Sequence, residues 1–476
     1  MHSKRGGPVL WGCVGLVCLA SFIAAAGTSG TPDHYLFTEA SHYNPSAWLT
    51  NAERFPAGAA IVLVSGGKRH ALAPDFAASA DPDLSFDATH VLFAGRQKTG
   101  DPWRIWEVAL EGGMSRQVSS GEGDCYRPLY LPGDQVVWTR RTGAGSEIEI
   151  APLAGGKAER LTFAPGRFLT ADVLRDGRVL FEAEREYGGK PAGTGRSRPQ
   201  CAPSEAGGPL RCAGVYSMLR EIMTVYPDGT GVESIRCDHG ADRYSPKQVA
   251  SGDIVFVEHG RLARFTSPLA HETPVTLQPA GEIAGPVADS GNGEFIAATR
   301  ATAQQPFHIA AWQIPGRSPN RNELQPIIVA PRAVPRRFPS ALLAIRTAGN
   351  LLCLNVATSR DPIRGAAIRA IRAYTRDADG RPALLGTQAV EKDGSFFIQV
   401  PGDRPLRLEA IDAAGHVVSA ERNWWWMRVA EQRACVGCHA GPERAPTNAV
   451  PQVLLRHDVP VPMLAPVVMQ AKKQGS

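Results

Sequence analysis

The chain has 476 residues, 43% of them hydrophobic, which is enough apolar material for about three packed domains. A net charge of +5 is small for that length and gives no case for a nucleic-acid partner. Serine-hydrolase elbows, phosphate loops and metalloprotease helix motifs are missing, so a hydrolase has no support from the sequence.

The first element is an export signal. Lys4 and Arg5 precede an apolar run from Val9 to Ile23, and Ala24 to Ala26 supply small residues for cleavage. The apolar part is short for a bilayer span, so residues 1–26 are expected to be a secretory signal peptide. Retention as an anchor stays open, and no span is expected once the signal is cleaved. Val17 before Cys18 argues against a lipoprotein signal. The expected location is extracytoplasmic, periplasmic or secreted.

From about 45 to 345 the sequence repeats. DPDLSFDATHVLFAGR, YRPLYLPGDQVVWTRR, LTADVLRDGRVLFEAE, SPKQVASGDIVFVEHG and PVADSGNGEFIAATR share a polar turn followed by a short β-rich apolar run. Their anchors Leu92, Val137, Leu180, Val255 and Ile296 lie 45, 43, 75 and 41 residues apart, near the length of one propeller blade. Second strands follow in RIWEVALEGG, EIEIAPLAGG, EIMTVYPDGTG and HIAAWQIPG, as stacked antiparallel sheets require. A propeller of six or seven blades is predicted, with an irregular sandwich as the alternative. The turns resemble those of TolB-type propellers, which implies a binding scaffold and nothing catalytic in itself. The long interval carries a Gly/Pro-rich insertion, roughly Tyr187 to Gly214. Its Cys201 and Cys212 are the best candidates for a disulfide in an oxidising compartment.

Between 351 and 423, CLNVAT, AIRAIRAYT, DGSFFIQVPGDRPLRLEAID and HVVSAE read as alternating strands of a small β-sandwich. The DGSFFIQVP stretch resembles carboxypeptidase-regulatory accessory domains. NWWWMRVAEQRACVGCH follows at once. On a strand, Trp424 and Trp426 would face one way and Trp425 the other, either as core and interface packing or as an apolar wall for a cofactor.

Within 424–446, the stretch ACVGCHAGPE carries the attachment signature of a c-type haem. Cys435 and Cys438 would form thioethers to the porphyrin edge, and His439 is placed to reach the iron. The competing readings are a CxxC disulfide or half of a zinc site. No second CxxC completes a four-cysteine site, and the Trp-rich and Pro-rich flanks are not a thioredoxin-like context. Nine cysteines fall to five without Cys13, Cys18 and the motif pair, leaving an odd number. The tail from 447 to 476 is Pro-rich, and its KKQGS end is expected to be disordered. His457 and Met463 are the tail's candidates for a distal iron ligand.

A TolB-like propeller, a DGSFFIQVP sandwich and RVAEQRACVGCH in this order resemble the hydrazine synthase alpha-subunit family over about residues 75–445. The resemblance implies a haem docked against the propeller, with the motif histidine on zinc and a nearby tyrosine on the iron. Carried onto this chain, it points to Cys237 and His239 of CDHG, with His439, as zinc ligands, since thiolate and imidazole suit that ion. It also makes Asp81 a polar group facing the haem and a candidate catalytic residue. As residues, Cys237 and His239 read equally as a buried structural cysteine and a turn histidine, and Asp81 as a turn former. No tyrosine follows the motif here; the nearby polar residue is Glu443, and there is no second CxxCH. Hydrazine synthesis itself is therefore not the expected activity. The expectation is an exported monohaem c-type protein, an oxidoreductase or electron carrier working with a redox partner protein or a small molecule. A propeller-based binding or sensor module with a structural haem is the alternative.

Overall fold

The computed structural model describes residues 34–464 except 144, 189–199, 203–210, 214–215, 237–240, 267–269, 277, 292–293, 311–313, 315, 341, 344, 360–362, 364–366, 438–444 and 446. The expected signal peptide and the KKQGS end lie outside the described residues. The fold is all-β, with two short 3-10 turns, Ala47–Thr50 and Gln452–Leu455, and no α-helix among the described residues. Nor is any helix there long and apolar enough to cross a membrane.

Residues 34 to 328 form a TolB-like β-propeller of six sheets. The inner strands are Asn322–Ile328, Ala78–Leu84, Cys125–Leu131, Phe168–Val173, Arg243–Gln248 and Glu282–Asp289, and they neighbour one another around the axis. Blade one is shared between distant parts of the chain. Its inner strand, Asn322–Ile328, pairs antiparallel with His34–Ala40, which continues into Ala60–Ser65 and Lys68–Ala71. The five anchors of the sequence repeat all sit on the second strands of blades two to six, and all are buried. Period-2 alternation explains this: each VLF-type run sends its bulky residues into the layers between adjacent sheets. The insertion in blade four lies between Val179–Gly188 and Tyr216–Val225, and its backbone places Cys201 directly opposite Cys212 in a small ladder.

Four inner strands share a device at the axis. Asp81, Arg127, Ser245 and Gln325 have φ of 56, 52, 51 and 57°, and each precedes a proline at a shift of strand register. A positive φ is uncommon for residues with a Cβ, so each bulge is held by the contacts around it. Asp81 pairs with Arg54 at 3.0 and 2.5 Å, accepts 2.6 Å from Gln325 Nε2 and 3.2 Å from the Arg127 N–H. Gln325 Oε1 in turn accepts from Thr38 Oγ1 at 2.7 Å. Blades one, two and three are thereby joined through polar groups sealed from water.

The second body is a β-sandwich. One sheet contains Gln432–Cys435, Ala348–Cys353, Phe396–Pro401 and Val461–Pro462; the other contains Pro382–Ala389, Ala370–Arg376, Arg404–Ile411 and Val417–Ala420. Strand Trp425–Met427 is added to Arg404–Ile411. Leu351, Ile371, Phe396, Ile398 and Met427 form its core. The strands thus extend past 423 and take in the beginning of the CVGCH motif.

The Trp triplet joins the two bodies; Trp425 and Trp426 face opposite ways as expected, while Trp424, just before the strand, lies with Trp425 on a cavity rather than with Trp426. The strand begins at Trp425, so Trp425 and Met427 turn to the sandwich core while Trp426 points the other way, into the core shared by blades three and four. Trp426 is 1% exposed, lies edge-on to Phe168 with ring centroids 6.1 Å apart, and donates from Nε1 to Gly229 O at 3.0 Å. Gly229 has a φ of +83° and Arg428 packed where a Cβ would go, so this contact needs glycine. Arg428 adds bonds to Asp228 O and, at 2.7 Å, to Asp403. Replacing Trp426 by Ala should cost about 3–5 kcal/mol by urea unfolding, the range for emptying an aromatic site in a packed core.

Candidate functional site

Cys435 ends the strand Gln432–Cys435, which runs parallel to Ala348–Cys353 and sets Cys435 directly across from Cys353. The chain then leaves the sheet along the loop after Cys353. Leu354 N donates to Cys435 O at 2.9 Å and Asn355 N to Val436 O at 3.2 Å. At Gly437 a Cβ would collide with the Thr358 and Asn355 carbonyl oxygens, so the second spacer of the motif must be glycine for this close approach. Cys438, His439 and Glu443 lie outside the described residues, as do Cys237 and His239. Among the described residues no cluster of three His, Cys, Asp or Glu side chains is placed to hold a metal ion.

Cys435 and Gly437 open onto a cavity of about 670 Å³ between the sandwich and the edges of blades four and five. The sandwich contributes Leu351, Cys353, Phe396, Leu408, Trp424 and Trp425, and the propeller contributes Leu174, Val232, Ile235, Ile254 and Phe265. Two of the three tryptophans therefore form wall and one forms the joint. Trp424 is held between Arg376 and Arg407, whose guanidinium carbons lie 5.2 and 5.3 Å from its ring centroid. Arg433 covers the Trp425 ring at 5.1 Å.

Charge is confined to particular places on this apolar lining. Arg185 pairs with Glu221 at 2.9 Å, Arg178 with Asp176 at 2.8 Å and with Glu233, and all five line the cavity. Glu421 also lines it and is half-buried. Its Oε2 accepts from Leu408 N at 2.8 Å and from Trp425 Nε1 at 2.5 Å. Burial raises its carboxyl to about 7, against the opposing pull of those two hydrogen bonds and of Arg407 and Arg433. The Cys435 thiol is also pushed up by burial, with Arg433 opposing and the Glu421, Glu233 and Glu431 charges adding to the rise. It is therefore held as a thiol rather than a thiolate.

Other expected residues go elsewhere. Asp81 does not line the cavity; it is the buried centre of the axial network. Burial works against its charge, but Arg54, Arg127 and the Gln325 hydrogen bond outweigh that and hold its carboxyl below the usual range. Met463 is spent in the sandwich core, against Gly386, and His457 is exposed. Glu421 was not singled out by sequence reasoning, because an isolated glutamate after a strand carries no motif. Its only signal was the adjacency of SAERNWWW, a carboxylate entering an aromatic run.

Residues 363–440 match the family model of the hydrazine synthase alpha subunit middle domain. Hydrazine synthase subunit alpha of Kuenenia stuttgartiensis is 35% identical over 83 residues, 17% of this chain and 10% of that protein. Tricorn protease homolog 1 of Streptomyces coelicolor is 35% identical over 78 residues, 16% of this chain and 7% of that protein. The chain thus spans about a tenth or less of the length of these curated relatives. The solved Kuenenia stuttgartiensis hydrazine synthase superposes with a TM-score of 0.73 at 18% identity, covering 90% of this chain and 72% of that one. The chain is related to the hydrazine synthase alpha subunit.

The placement of Asp81 separates a structural role from a catalytic one. Asp81→Asn leaves Arg54 buried without its counter-charge and should destabilise by about 3–5 kcal/mol in denaturant unfolding. Because the native carboxyl is held low, the wild-type advantage is present above the ordinary carboxylate range and is lost as pH falls through the depressed value. Whatever the cavity binds, the folded variant should bind as the wild type does; altered binding would place Asp81 at that site.

Proposed function

We propose that this hydrazine synthase alpha-related chain is an exported monohaem c-type protein, with the haem anchored at Cys435 and Cys438 and lodged in the cavity between propeller and sandwich. The observation that carries the reading is that the first cysteine of CVGCH opens onto a cavity of about 670 Å³, within the range of cofactor pockets. The lining fits the group. Apolar and aromatic walls at Leu351, Phe396, Trp424 and Trp425 suit a flat macrocycle, and the arginines at the rim suit its carboxylates. A bound haem supplies one-electron transfer or an iron that takes up a small ligand. The residues described here exclude water from its surroundings and hold the attachment loop to the sandwich.

Zinc at Cys237, His239 and His439 belongs to the same proposal. Ile235, two residues before Cys237, lines the cavity together with Gly437, two residues before His439. Both stretches that would supply the ligands therefore leave the described structure from the lining of the same cavity. With His439 on zinc, the iron would be left to a weak ligand such as Glu443 or to water, open to a small molecule. Export is supported by the signal-like residues 1–26 and by the chemistry of the motif, since haem c is attached outside the cytoplasm in bacteria. Hydrazine synthesis is not proposed.

Two measurements decide between these assignments. Expressed with haem c maturation, the protein should retain haem through denaturing electrophoresis and stain for it, and the Cys435→Ala/Cys438→Ala double variant should lose it. A wild-type chain that loses all colour on denaturation ends the haem reading. Metal analysis should find about one zinc per chain, reduced in His239→Ala with covalent haem intact. Zinc far below that, with a low-spin iron that ignores carbon monoxide, would identify a histidine-ligated electron carrier instead.

A further inference from the structure

Glu421 stands apart from the other carboxylates of the cavity. Asp176, Glu221 and Glu233 each have an arginine beside them. Among the described residues no cation forms an ion pair with Glu421. Its nearest candidates are engaged elsewhere, Arg407 with Glu409 at 3.2 Å and Arg433 with Glu431 at 2.6 Å. Two N–H groups, from Leu408 and the Trp425 indole, are what hold the Glu421 carboxylate in place. Both converge on one oxygen, Oε2. The carboxyl faces the cavity into which Cys435 opens, and Trp425, its hydrogen-bond donor, is itself part of the wall.

We propose that Glu421 is the redox-linked protonation site of this cavity, taking up one proton when the group anchored at Cys435 gains one electron and releasing it on oxidation. The inference rests on the haem reading above. The electron comes from a one-electron donor protein, or from dithionite in the test. The proton comes from water and goes to the Glu421 carboxylate, so the charge of the cavity is unchanged by the couple. The physical reason is desolvation. In a poorly solvated space an added negative charge strongly favours protonation of the nearest unpaired carboxylate, whereas carboxylates already paired with arginine resist it. The groups facing Glu421 are Arg407 from the strand it packs on, Arg433 and Cys435 from the motif strand, and Arg422 beside it in the chain. Across the cavity stand Asp176, Arg178, Arg185, Glu221 and Glu233. With its carboxyl raised to about 7, Glu421 is the member of this set that changes charge near neutrality.

The test is the reduction potential of the full-length, haem-loaded protein as a function of pH, for wild type, Glu421→Gln and Glu421→Asp. One proton per electron shifts the reduction equilibrium tenfold per pH unit, about 59 mV, over the window where the group titrates. The wild type should show that slope across neutral pH, the Gln variant should be flat there, and the Asp variant should keep a slope in a displaced window. A reduced-minus-oxidised infrared spectrum should show a carboxyl gaining a proton, absent in the Gln variant. A Gln variant with the wild-type slope overturns the proposal. Should no haem be covalently attached, the haem reading fails, and infrared titration of the haem-free full-length chain then judges Glu421 separately. A carboxyl that protonates only at ordinary carboxylate pH would overturn its proton-exchanging role as well.

Discussion

One indole side chain fixes where the two bodies of this protein meet. Trp426 leaves a sandwich strand and completes the apolar core of propeller blades three and four, so part of that core is supplied from nearly two hundred residues away. Burying an aromatic of this size is among the larger single contributions a side chain makes. The polar contacts nearby set orientation. Gly231 N donates to Glu431 at 3.1 Å, Arg433 donates to Val232 O at 3.2 Å, and Arg185 donates to Trp424 O at 3.3 Å. All lie within a few residues of Trp426 or of the motif strand. The cavity is what remains between two surfaces brought together in this way, and its shape is as rigid as that joint.

The motif cysteine inherits this rigidity. A CxxCH motif on a free tail would leave the position of its first cysteine to a flexible linker. Here the first cysteine is part of a parallel ladder, and the next two residues are held to the loop that follows the neighbouring strand. The distance between the propeller wall and Cys435 is therefore a property of packed β-structure. Sites built on regular elements keep their geometry better than sites on loops.

Much of the architecture was legible in the sequence for a physical reason. The anchors Leu92, Val137, Leu180, Val255 and Ile296 of the VLF-type runs are all buried, where composition is under tight packing constraint, so their spacing carries the repeat. The axial bulges were less visible. Their signal was the recurrence of a proline after Asp81, Arg127, Ser245 and Gln325, easily passed over because a pre-proline residue is ordinarily extended rather than at positive φ. The buried network of Asp81 was hidden for that reason: it depends on Arg54 and Gln325, of which Gln325 is distant in sequence and meets it only when the ring closes. The opposite facing of Trp425 and Trp426 followed from strand alternation, but the side taken by Trp424 depended on where the strand starts, a boundary that pattern alone does not set to within one residue. Glu421 was hidden because its character comes from what does not lie next to it.

The shared first blade has a consequence for how the chain reaches this state. Thr38 and Gln325 are hydrogen-bonded across a separation of 287 residues. The loop-closing entropy of such a pairing must be met before its contacts return anything. During synthesis, His34–Ala40 emerges early and has no inner partner until Asn322–Ile328 follows. Until then it presents an unpaired apolar edge, the kind of surface on which chains associate wrongly. The sandwich follows that last strand in the chain, so it meets the wall that blades four and five offer only after the strand that closes the ring has been made. Maturation of the site is thus ordered in time by topology: propeller closure first, the Trp426 joint next, and a defined space beside Cys435 last.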